Sequence, residues 1–276
     1  MIDKITNRFI FGVSIVVLVL VVVLLTPAAA FAENEIVSVF SVRGDVKVVQ
    51  KGANQGVKCE KEMILHAGDW IKTGTDSSVT IAFDKEADNV ITIEEKSLIV
   101  LRLDGYFKVQ LLRGEILAIL ENVSHDEKFR VLTPSVVTES LNSGWGATSD
   151  GAYTNVVVFD NKVFVCGINP EGEIENKKYW IEEGEQRKTL TFEDPGELES
   201  LSENAVLWFE KQVMAHHLAK IEEKGSREQD LDMELLGAEI DYGNGETEET
   251  ASASADKTDL LEYLYKQRLK YKAKRR

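Results

Sequence analysis

Four groupings of side chains in this sequence have the types that chemistry uses. His216 and His217 are adjacent in a segment with helical periodicity. Neighbours on a helix point about 100° apart, so the pair cannot close on one ion from one face. A solvated helix face is the expected reading, and no metal site is assigned. His66 and His125 lie in loop-like segments with no cysteine or acid cluster at ligand spacing. Ser143-Gly144-Trp145-Gly146 supplies a serine near glycines, but a hydrolase nucleophile needs a strained Gly-x-Ser-x-Gly turn, and none is present. Paired carboxylates could serve a glycosidase. Among 47 Asp and Glu some pair always fits, so that pattern carries no weight. No catalytic residue and no cofactor are expected, and the chain reads as a non-enzyme.

Two groupings stay open. Gly144-Trp145-Gly146 can present its indole outward to a sugar ring or peptide as a binding loop, or bury it beneath a sheet; the buried reading is the expected one. Cys59 and Cys166 either form a disulfide across a long loop or remain two separate buried thiols. Pairing is chemically open to them because the chain begins like an exported protein. Lys4 and Arg8 precede an apolar run from Phe9 to Leu25, and Ala30-Phe31-Ala32 fits a leader-peptidase site, with cleavage between Ala32 and Glu33. An uncleaved membrane anchor facing the periplasm is the alternative, since the run approaches the roughly 20 residues that span a bilayer. Periplasmic or extracellular localisation follows from the first reading.

The elements that must position these residues are mostly strands. Beyond residues 1–32, residues 33–193 alternate apolar and polar positions over short runs bounded by Gly, Asp and Asn. Val79, Ile81 and Phe83 alternate with Thr80 and Ala82. Ile116 to Leu120 is apolar at every position, as in a strand covered on both faces. Asp160-Asn161 reads as a tight hairpin turn, and Arg113-Gly114 as another turn. This pattern predicts a mainly β domain, an antiparallel β-sandwich or roll of jelly-roll type.

At Asp194 the pattern changes. Asp194-Pro195-Gly196-Glu197 reads as a helix start. Leu198, Leu201, Ala205, Trp208 and Phe209 recur at helical steps, giving a helix over 194–225 that packs on the domain or on a partner. Residues 226–256 hold ten acids and one Arg and predict an acidic disordered linker. Residues 257–276, from Lys257 to Arg276, hold eight Lys or Arg and predict a short basic helix. That tail can contact anionic lipid headgroups, the acidic linker or an acidic partner. A net charge of −15 argues against nucleic acid as a partner.

One ordered set of motifs resembles a known family. "VFSVRGDVKVV" is followed by "MILHAGDWIKTGTDSSVTIAF", "VITIEEKSLIVL", "VQLLRGEILAIL", "FRVLTPS" and "TNVVVFDNKVFVCG". The order resembles the FecR-like periplasmic domain, named after a regulator of iron-citrate transport. The matching positions are Gly68, Asp69, Ile71, Thr73, Gly74, Ser77, Leu112, Gly114, Thr133 and Pro134. The physical reading of Gly68, Asp69, Thr73, Gly74 and Ser77 is structural: glycines free to take positive φ, and side-chain oxygens that cap turn amides. The chain departs from the family at 143–148, where SGWGAT stands in place of Arg-Gly-Thr. It also carries eight residues before its apolar run, so the family's control of a sigma factor is not expected to transfer. What the resemblance implies is an exported protein that binds a protein, peptide or envelope polymer, in sensing, signalling or scaffolding. The alternatives are an envelope enzyme or small-ligand sensor with a site at 144–148, and a structural subunit of an envelope assembly.

Overall fold

The computed structural model describes residues 36–103, 105–124 and 128–239, with only the backbone for 224 and 226–239. The Ala32–Glu33 junction, His125, the linker beyond 239 and the basic tail lie outside the described residues.

Among the described residues, seventeen strands hydrogen-bond into one open, mixed network. In chain order they are β1 (Val37–Arg43), β2 (Val46–Val49), β3 (Val57–Lys58), β4 (Ile64–Leu65), β5 (Trp70–Thr73), β6 (Ser78–Ala82), β7 (Asn89–Ile93), β8 (Leu98–Leu101) and β9 (Val109–Leu120). They continue as β10 (Phe129–Leu132), β11 (Val136–Ser140), β12 (Ser143–Ser149), β13 (Tyr153–Asp160), β14 (Lys162–Ile168), β15 (Ile174–Glu182), β16 (Glu185–Leu190) and β17 (Leu198–Ser200). Among the described residues one helix follows, α1 (Glu203–Glu239).

The network doubles over into two layers that share one core. The first layer runs β4-β1-β6-β7-β9-β12-β13-β16-β17. The second runs β3-β2-β5-β8-β9-β10-β11-β14-β15. Val37, Val39, Ile81 and Ile91 of the first layer meet Val46, Ile71, Ile99 and Val131 of the second in a single buried cluster. The β9–β10 pair is parallel, with Val131 opposite Val109; the other ladders are antiparallel. The mainly β class expected from the alternation is what the chain adopts, with a C-terminal helix.

β9 belongs to both layers. Leu98 to Leu101 of β8 pair with its first half, and Asn89 to Ile93 of β7 with its second. Gly114 sits where it crosses over, at φ +96°, with Ser97 so close that an added Cβ would lie 2.2 Å from its Oγ. Arg113-Gly114 is therefore a bend inside one strand rather than the expected turn between two. Past it, Ile116, Ala118 and Leu120 enter the shared core, whereas Leu117 and Ile119 face outward under α1. The run that reads as apolar on both faces is covered on both faces.

Asp160-Asn161 corrects a second expectation. β13 pairs with β12 and β16, and β14 pairs with β11 and β15, so the two do not form a hairpin. The turn, with Asn161 at φ +63°, carries the chain from one layer to the other. A tight turn between apolar runs reads the same in sequence whether the strands pair or arch apart.

The helix begins later than expected and continues further. Gly196 N–H donates to the Lys188 carbonyl, and Leu198–Ser200 pairs with β16, so residues 194–200 serve the sheet. Ser202 caps the helix by accepting from Ala205 N–H. The backbone stays helical through Gly225 to Glu239, where the acidic composition suggested disorder from 226. Charge dominated that expectation, yet Arg, Glu, Gln, Leu and Met are good helix formers.

Candidate functional site

The motif residues occupy the corners between layers. Asp69, buried, accepts from the backbone N–H of Lys51 (3.0 Å) and of His66 (2.9 Å). Thr73 Oγ1 donates to the Glu94 carbonyl at 2.6 Å and accepts from Ser97 N–H at 2.9 Å. Ser77 Oγ accepts from Asp45 N–H and donates to the Thr75 carbonyl. Gly68 takes φ +93°. Gly74 does not take a positive φ, contrary to expectation; it is close-packed instead, since a Cβ would meet the Asp45 carbonyl oxygen at 3.2 Å. At the other end of the fold, Thr133 Oγ1 accepts from Val136 N–H and Thr154 Oγ1, which closes the bend at Pro134. Each of these side chains is hydrogen-bonded within the corner it closes, which accounts for its place in the motif.

Gly144-Trp145-Gly146 is a strand rather than a binding loop. These residues lie in β12, between β9 and β13, and Trp145 is wholly buried. Its indole N–H donates to Ser140 Oγ at 3.0 Å. A Cβ on Gly144 would lie 2.2 Å from the Phe209 ring of α1. The glycines let a helix and a neighbouring strand approach, and the ligand site at 144–148 is overturned.

Cys59 and Cys166 are both free and both buried. Cys59 belongs to the shared core. On β14, Val163 and Val165 point into that core, so the alternation of strand side chains turns Cys166 to the outer face of the second layer. The two thiols lie on opposite sides of a sheet, which removes the disulfide. Burial, with Glu60 nearby, pushes the Cys59 thiol up to about 11, and burial also raises Cys166.

The His pair departs from a solvated face. His216 is buried on the outer face of the first layer, edge-on to Phe40, and its Nε2–H donates to the Ala87 carbonyl at 2.8 Å. Burial lowers its pKa despite that carbonyl. His217 meets Glu121 at 3.1 Å, and Lys220 meets Asp88. Together with Phe209 and Val213, packed on Val90, Leu117, Ile119 and Phe159, these contacts seat α1 on the sheet. Among the described residues no group of three or more His, Cys, Asp and Glu is arranged to hold a metal.

Charged and aromatic side chains gather on the outer face of the second layer. There Glu139 on β11 contacts Lys128 Nζ at 2.8 Å, Arg130 Nε at 3.0 Å and Lys178 Nζ at 3.0 Å. Burial opposes its ionisation, but these three hydrogen bonds outweigh it and hold the carboxyl at about 2. Beside them the Phe164 and Trp180 rings touch, with Lys162 over the indole at 4.4 Å and Trp180 43% exposed. β15 borders this face as an edge strand, paired only with β14 among the described residues. Reading β14 and β15 separately hid the cluster; the cross-strand register alone brings Phe164 opposite Trp180 and Cys166 opposite Lys178.

Residues 69–164 match the family model described as FecR protein. The match covers about a third of the chain and runs from β5 into β14, so β1 to β4 and β15 to β17 complete both layers outside it. Two solved structures of a candidate anti-sigma factor from Parabacteroides distasonis ATCC 8503, at 1.65 and 2.50 Å resolution, are each 13% identical with a TM-score of 0.39. Each alignment covers 50% of this chain and 62% of the other. The curated proteins contain no match.

Proposed function

We propose that this chain is an exported, non-enzymatic FecR-domain protein that binds a protein partner in envelope sensing or signalling. The observation that carries this reading is the division of labour in the FecR segment. Its motif residues are consumed by corners, as Asp69, Thr73 and Ser77 illustrate. The second layer meanwhile turns a basic and aromatic outer face, bordered by a strand edge, towards solvent. A recognition surface of that kind suits binding rather than turnover. Export rests on the leader-like start, and the basic segment 257–276 supplies a second contact with a membrane surface or an acidic partner.

Cross-linking of the full chain in intact cells tests this reading. A discrete adduct with an envelope protein is expected. Cross-linked cells that show the chain only as monomer, or a chain retained in the cytoplasm after fractionation, would refute it.

A further inference from the structure

We infer that β15 accepts an acidic, extended peptide segment of the partner as an added strand. This inference rests on the binding role proposed above and names the chemistry of what binds.

β15 is nine residues long, and its side away from β14 is unpaired among the described residues. The Glu182 N–H is taken by the Glu185 carboxylate at 2.9 Å rather than by β14. Strand geometry repeats every two residues, so the amides of Trp180 and Lys178 point to the same open side. An incoming strand would therefore find donors and acceptors at alternate positions.

The charge around that edge selects the strand. Lys128, Arg130 and Lys178 contact Glu139 on the outer face, Lys162 lies over the Trp180 ring, and Glu182 lies opposite Lys162 in the register. Counting Glu185, which reaches the Glu182 N–H, the four cations stand against three carboxylates, a surplus of one positive charge on a chain of net charge −15. An acidic side chain lying over Lys178 and Lys162 gains attraction there, and an apolar or aromatic one covers Trp180. A second copy of β15 is a poor occupant. Antiparallel self-pairing about the middle of the strand sets Lys178 against Lys178, and like charges directly opposite destabilise a pair. An anionic glycan would match the charges but could not reproduce the ladder of backbone hydrogen bonds.

The test uses the full chain and randomised twelve-residue peptides displayed on phage. The expected enrichment is for Asp or Glu alternating with aromatic or aliphatic residues. Affinity of an enriched peptide should fall about three- to tenfold with Lys178→Gln, which removes charge and keeps the amide. It should fall further with Lys178→Pro, which also removes the outward N–H. N-methylation of two alternate peptide amides should cost at least about tenfold against the unaltered protein, independent of any folding defect in a variant. Equal binding of the N-methylated peptide, enrichment of non-acidic peptides, or displacement of the peptide by a heparin fragment at equal charge concentration would each overturn the inference. The cross-linked partner separates the two levels. A partner that persists unchanged in the Lys178→Pro chain refutes the β15 site and leaves the binding role standing, whereas absence of any partner refutes both.

Discussion

At Gly144 the fold leaves room for a hydrogen and nothing larger. Phe209 is itself buried and stacked on Phe159, so the ring has little freedom to yield to an added methyl. Gly144→Ala should cost about 1–3 kcal/mol in urea unfolding, the usual range for overpacking. Gly151→Val, at a site with open space but positive φ, would act through backbone strain alone and serves as the contrast. Glu139 gives a second residue-level expectation. Its folded pKa, about 2, lies below the ordinary carboxylate value of 4.5, so it stabilises the fold above pH 4.5 and loses that contribution as pH falls towards 2. Glu139→Gln should flatten acid unfolding across that window. The thiols give a third. Alkylation of unreduced, urea-unfolded protein should label both Cys59 and Cys166 completely, while the native protein resists at pH 8 because burial keeps the thiol of Cys59 protonated.

The helix shows how far an element can be read from sequence and where reading stops. Ala205 and Phe209 lie in the helix and pack on the sheet at the expected spacing, whereas Leu198 falls in β17, Leu201 precedes the cap and Trp208 is 40% exposed. His216 breaks the inference, because polarity suggested water while a single carbonyl, Ala87 O, in a loop 129 residues away gave the ring a partner. No local pattern encodes such a contact. Its pKa is lowered by burial, with His217 and Lys220 adding to that and the Ala87 carbonyl and Glu121 opposing. A lowered histidine pKa stabilises above the ordinary value of 6.5 and loses that contribution as pH falls below it. Trp208, close to Phe159, should report α1 loosening by fluorescence in this window, and His216→Gln should remove the transition. The layer-crossing turns were equally hidden. Asn161 is a good turn residue in either geometry, and only the partners of β13 and β14 decide between hairpin and arch.

For the whole molecule, alternation and turn residues were enough to specify a β-rich chain ending in a helix, and the motif order was enough to identify the FecR segment. Strand partnership was not legible, because period two fixes which face is buried but not which neighbour lies alongside. The candidate face was illegible for the same reason: Glu139, Phe164 and Trp180 are separated in sequence and meet only through register. At this scale the leader reading predicts a mature protein starting at Glu33, checked by the intact mass of the exported form.

Because β9 is threaded through both layers, neither can come apart while the other stays closed. The amides of residues 116–120 should consequently exchange with deuterium only through global opening, at the slowest rate in the protein, and should report one shared cooperative transition rather than two.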